Sequence, residues 1–265
     1  MKCEKLYKYY SFGFNYYILL NTSVWTNQSL LKRLEEYYEF VRELDLSVTL
    51  SGIDFNNLDA ERDQLAKICR KKDLRTKSVD GKLLKSLHDK LNKIDNILDA
   101  ELDTKVGYVP SEKRYSLKYL SGDISQLFAK DIFVSLPRVA CFDFKECGMC
   151  LAMDRYTACA FHVLRGTEDV LKLYYSRLLK KTPTVAATWG TFLKSINDAI
   201  RAKRINPEPP EELILNLESL RKYYRNRTQH PDLIYSGDEV QDLLGLCIKT
   251  VNEIVKDIQQ RKILS

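Results

Sequence analysis

Beyond Ser236 the residues Val240, Leu243, Cys247, Val251, Ile254 and Ile258 repeat an apolar side chain every three or four positions. That spacing gathers them on one face of a helix with 3.6 residues per turn and would scatter them over both faces of a strand. Ser236-x-x-Glu239 supplies a capping box at the start of this helix, each side chain able to satisfy the other residue's backbone N–H. The same period recurs upstream. It runs through Leu213, Leu217, Leu220 and Tyr224, through Trp189, Phe192, Leu193, Ile196 and Ile200, and along a long segment from about 144 to 181 with Cys150, Phe161, Leu164, Leu171, Tyr174 and Leu178 on one side. Thr182-Pro183-Thr184 ends that segment, and Pro207, Pro209 and Pro210 break the chain before Leu213. Four amphipathic helices with short connections predict an all-α fold, with an antiparallel four-helix bundle over residues 104–265.

Residues 1–103 read as a second helical region. Leu30, Leu31, Leu34, Tyr38, Val41 and Leu44 mark one amphipathic helix, and Leu58, Leu65 and Ile68 a weaker one. Leu84, Leu87, Leu91, Ile94 and Leu98 alternate at three and four, a coiled-coil spacing that is too short to secure one, so a helical hairpin is the expectation. The tyrosine-rich start, Tyr7 to Tyr17 with Phe12 and Phe14, is interrupted by Lys8 and Asn15. It is too short to span a bilayer and lacks the shape of a signal peptide, so packing against the helices that follow is expected. Val106-Gly107-Tyr108-Val109-Pro110 has the composition of a short extended stretch. Leu120, Ile124, Phe128 and Ile132 predict a further helix stopped by Pro137.

With 265 residues the chain can bury a full core in one or two domains. A net charge of +6 permits nucleic-acid binding without demanding it. The excess is concentrated between Lys67 and Lys93, ten basic residues against three acidic ones, with no aromatic residues interleaved for base stacking. Seven scattered cysteines, an odd number, point to a reducing cytoplasm. Cys147-x-x-Cys150 lacks the second ligand pair that a structural zinc site needs. Phosphate-binding glycine loops, Gly-x-Ser-x-Gly, Asp-x-Asp and His-Glu-x-x-His are all missing.

The chemistry concentrates in Arg225-Asn226-Arg227-Thr228-Gln229-His230-Pro231. A guanidinium can hold a phosphate by two parallel hydrogen bonds, and an imidazole titrates near neutral pH, so Arg225 and His230 together supply an anion clamp and a proton-transfer group. Helical spacing places Arg221 beside Arg225. The residue before a proline is pushed out of the helical region, which predicts unwinding at Gln229-His230 and lets the histidine turn back toward Arg225. Arg221, Lys222, Arg225, Arg227 and His230 are equally what the C-terminal end of a helix prefers electrostatically. On these residues alone a phosphate site and a capped helix end both remain open.

Arg225-Asn226-x-x-x-His230 before a final helix resembles the Arg-x4-6-His motif of the HEPN superfamily (higher eukaryotes and prokaryotes nucleotide-binding). The block Glu146-Cys147-Gly148-Met149-Cys150-Leu151-Ala152 and Arg155 to Arg165 is similar to the long first helix of a bacterial HEPN-like group. The likeness covers about residues 104 to 260. Glu168 matches an acidic position after the His162-x-x-Arg165 segment, while Gly166-Thr167 departs from the more apolar residues usual there. The resemblance implies a metal-independent endoribonuclease without a cofactor, acting on RNA as a homodimer in toxin or antiviral systems. It implies Arg225, Asn226 and His230 as catalytic, Arg221, Arg227 and Gln229 as substrate-binding, and His162, Arg165 and Glu168 as supporting residues. One histidine cannot easily be base and acid at once, and a second copy of the motif across a dimer would supply the missing group. A non-catalytic nucleic-acid or nucleotide-binding module, and a helical subunit that engages a protein partner through its N-terminal region, are the alternatives.

Overall fold

A computed structural model describes residues 6–184, 187–230 and 232–261. The chain is all-α. Among the described residues no strand forms, and an isolated antiparallel bridge joins Thr26 to Ser78. The chain divides into two compact units, Met1–Tyr108 and Val109–Ser265.

The first unit holds α1 (Leu6–Asn21), α2 (Asn27–Glu43), α3 (Ser47–Phe55), α4 (Leu58–Cys69) and α5 (Gly81–Asp103). Among its described residues this unit holds five α-helices, where a helical hairpin was the expectation. The three-four run of α5 is real, with Leu83, Leu87, Leu91, Ile94 and Leu98 all buried, but it packs against α1, α3 and α4 rather than against a coiled-coil partner. Gly52 of α3 permits that approach, because a Cβ there would fall 2.8 Å from Ile97 Cδ1. Glu101, near the end of α5, accepts hydrogen bonds from the backbone N–H groups of Val48 and Thr49 at 3.1 and 2.7 Å, and so caps α3. The aromatic start packs only in part: Phe12 stacks on Phe40 and Tyr16 on Tyr37, whereas Tyr7, Tyr9, Tyr10, Phe14 and Tyr17 are exposed. His88 donates from Nε2 to the Leu19 carbonyl at 3.0 Å, tying α5 to α1.

The second unit begins with irregular chain. Residues 105–113 form no strand, so the apolar, proline-ended stretch is not extended into a ladder. The helix expected over Leu120 to Ile132 is instead α6 (Leu117–Ser121) followed by two 3-10 turns, Ile124–Leu127 and Phe133–Ser135. Gly122 ends α6, and the Asp123 side chain accepts from Ser125 N at 3.2 Å to start the next turn. Leu120, Ile124, Phe128 and Ile132 still all point inward. Successive single turns satisfy the same apolar period as a continuous helix.

Next come α7 (Arg138–Ala152), α8 (Tyr156–Leu179), α9 (Trp189–Arg201), α10 (Glu211–Ser219), a π-helical segment (Leu220–Arg225), a short turn α11 (Asn226–Thr228) and α12 (Gly237–Gln260). The long helix expected from about 144 to 181 is two helices. Asp154 takes φ 57 between them, a left-handed conformation that aspartate tolerates better than most residues. Its carboxylate accepts from Tyr156 Oη at 2.6 Å and pairs with Lys113 at 2.7 Å, which anchors the break. α8 is the central element and packs against α7, α9 and α12. α12 buries Val240, Leu243, Cys247, Val251, Ile254 and Ile258 on one face, each full burial stabilising by roughly 1.5–3 kcal/mol for a Leu- or Ile-sized side chain. Its capping box forms, with Ser236 Oγ accepting from Glu239 N at 3.3 Å and Glu239 Oε2 from Ser236 N at 2.9 Å.

Candidate functional site

Sequence places Ala140, Phe144, Cys147 and Leu151 on the core face of α7, and Asp143 shares that face. A carboxylate there must find partners or remain protonated. It finds them on α8. Arg165 donates from Nε to Oδ2 at 2.7 Å and from Nη2 to Oδ1 at 2.5 Å, while His162 Nδ1 lies 2.9 Å from Oδ1. The Asp143 side chain is 0% exposed, whereas those of His162 and Arg165 are 26% and 59% exposed. One inward carboxylate thus fixes two outward cationic or protonatable heads. Asp143, hydrogen-bonded to Arg165, holds that guanidinium above its ordinary value. The α7–α8 approach depends on Gly166, where a Cβ would lie 3.1 Å from Asp143 Cβ and 3.3 Å from the Phe144 ring. The departure at Gly166-Thr167 accordingly has a packing reason. Thr167, also buried, spends its hydroxyl on the Val163 carbonyl at 2.7 Å.

One turn further along α8, Glu168 joins two elements. Its Oε1 accepts from Trp189 N at 2.8 Å, capping the N-terminus of α9. Its Oε2 accepts from Arg225 Nε and Nη2 at 3.4 and 3.3 Å. Arg225 ends the π-helical segment, where the Asn226 N–H bonds the Arg221 carbonyl five residues back. The wider turn inserts a residue into the ladder, a feature that recurs at functional sites. Arg225 reaches Glu168, while Arg221 lies over α9, where a Cβ on Gly190 would fall 2.8 Å from its Nη1.

Phe161, His162, Leu164, Arg165, Glu168, Arg225, Thr228 and Gln229 line one cleft of about 460 Å³. The predicted residues His162, Arg165, Glu168, Arg225 and Gln229 therefore meet, although they come from segments some sixty positions apart. Asn226 and Arg227 are exposed and do not line it. The helix does unwind where expected: α11 ends at Thr228, and His230 N bonds back to the Arg227 carbonyl at 2.9 Å. His230 is exposed one residue beyond the cleft-lining Gln229, and its imidazole has no hydrogen bond among the described residues. Pro231, the expected cause of the unwinding, lies outside the described residues.

Two members of the site were not singled out from sequence. Thr228 is buried and shares a hydrogen bond of 2.7 Å with Tyr235 Oη, which pins the end of α11 beneath the cleft. Asp143 is the larger omission, and its signal was an acidic residue within the apolar stripe of α7. Chemically, the cleft offers two guanidinium groups for an anion, an imidazole oriented by a buried carboxylate, and a carboxylate that steers Arg225. Among the described residues no group of three or more His, Cys, Asp or Glu side chains is arranged to hold a metal ion, and no helix is long and apolar enough to cross a membrane. Comparison of the chain with family models, curated proteins and solved structures finds no match.

Proposed function

We propose that the chain is a metal-independent endoribonuclease of the HEPN type, with α7–α12 as its helical bundle, serving as a toxin or antiphage effector. The observation that carries the reading is the convergence of Arg165, His162 and Arg225 on one cleft, with His230 at the end of the segment that carries Arg225. Two fixed guanidinium groups suit a phosphodiester, whose negative charge grows as it is attacked. Glu168 supports the role of Arg225 by accepting from its Nε and Nη2, which leaves Nη1 without a hydrogen bond among the described residues. On this reading Arg225 stabilises charge on the phosphorus oxygens, His230 moves a proton, and Asn226 steadies His230 or the phosphate.

A homodimer forms part of the proposal. Phe161 lines the cleft and Phe142 packs against His162, 45% and 54% exposed, and a second copy would cover them. The test is incubation of purified protein with total RNA in EDTA, alongside Arg225→Ala and His230→Ala. Cleavage by the wild type, abolished in both folded variants, is the expected result. Salt-sensitive RNA binding without cleavage would select the phosphate-binding module instead.

A further inference from the structure

We infer that His162, oriented by Asp143, is a second catalytic histidine within the same chain, acting as the general base on a ribose 2′-hydroxyl. The inference rests on the ribonuclease reading and supplies the acid–base group that a lone His230 lacks.

The geometry assigns the tautomer. A carboxylate only accepts, so Asp143 Oδ1 at 2.9 Å draws the ring proton of neutral His162 to Nδ1. Nε2 then carries the lone pair, and it has no partner among the described residues. Phe142 meets the ring edge-on at 6.5 Å between centroids. The ring lines the same cleft as both arginines. A buried carboxylate, an imidazole and an open Nε2 form the arrangement in which a histidine accepts a proton from a hydroxyl nucleophile. Asp143 is a positioning residue here, because it touches His162 and not the substrate.

The step balances with groups of this chain. Nε2 of His162 takes the 2′-hydroxyl proton, and the oxygen's electron pair forms the O2′–P bond. The P–O5′ bond breaks with its electron pair going to O5′, which receives a proton from the imidazolium of His230. The products are a 2′,3′-cyclic phosphate and a 5′-hydroxyl, and proton exchange with water resets both histidines. A second copy of the chain then contributes surface rather than the missing imidazole.

The experiment follows cleavage of a fluorescently labelled single-stranded RNA in EDTA by wild-type protein, His162→Ala, His162→Gln and Asp143→Asn, with thermal melts of each. His162→Ala is expected to lose about 100-fold or more in kcat with KM little changed, and to regain part of that rate when free imidazole is added. His162→Gln, which keeps side-chain bulk, should be as slow and not destabilised, and Asp143→Asn should lower kcat while RNA binding persists. Activity of His162→Ala and His162→Gln within about threefold of wild type would overturn the inference and leave the ribonuclease reading standing. So would losses that track melting temperature and that imidazole does not relieve. A wild-type protein unable to cleave RNA would instead overturn both.

Discussion

Removing Arg165 should harm the fold more than removing the charge it pairs with. Asp143 is 0% exposed and accepts two hydrogen bonds from Arg165 and shares one with His162, whereas the Arg165 side chain is 59% exposed. Arg165→Ala strands a buried carboxylate with one partner. Breaking a buried pair in this way costs about 3–5 kcal/mol, and the remaining contact to His162 reduces it here to about 2–3 kcal/mol. Asp143→Asn removes the buried charge instead, and both former partners can turn to water, for a cost of about 1–2 kcal/mol. The double variant should then be less damaged than the sum of the two by about 1 kcal/mol, since the asparagine no longer needs the guanidinium. Urea unfolding in a Trp25→Phe background measures this directly, because Trp189, 1% exposed, then reports the 109–265 unit. Equal or reversed single costs, or strict additivity, would refute the argument that Asp143 organises the cleft.

Gly166→Val should destabilise by about 1–3 kcal/mol, since its side chain must displace Asp143 and Phe144; an unchanged melting temperature would show that α7 and α8 have room to part. Ser236→Ala should cost about 1 kcal/mol through loss of the capping box, and a circular-dichroism melt checks it. Burial alone would raise the Glu101 carboxyl, but hydrogen bonds from Thr49 and Val48 outweigh it and hold the group below its ordinary value. A depressed carboxylate stabilises fully above the unfolded range near about pH 4.3 and loses that contribution as pH falls through the lower folded value. Glu101→Gln should therefore be less stable than wild type near neutrality and flatten the acid limb of its stability curve, and an acid limb identical to wild type would contradict this.

The helices with strong apolar periods were legible. α2, α5, α9 and α12 lie where their spacing puts them, and the Ser236–Glu239 box closes as written. Punctuation inside apolar runs was not. Asp154 interrupts a continuous period between α7 and α8, and Gly122 divides another into single turns, because a brief left-handed or 3-10 step hardly disturbs which residues face inward. The cleft combines both cases. His162, Arg165, Glu168 and Arg225 could be named in advance, yet the π-helical turn over Leu220–Arg225 leaves no mark in a three-four pattern. Asp143 could be recognised only by asking what a charge does on a buried stripe.

The chemistry of the cleaved ends tests the ribonuclease reading most directly. Purified protein in EDTA would be given an oligoribonucleotide and the same strand with a single deoxyribose at the mapped cut. The expected products are a 2′,3′-cyclic phosphate on the upstream fragment and a 5′-hydroxyl on the downstream one, with the deoxy-substituted strand resistant, because the attacking oxygen is the 2′-hydroxyl beside its own phosphorus. Cleavage at the deoxyribose position, or activity appearing only on addition of magnesium or manganese, would contradict it.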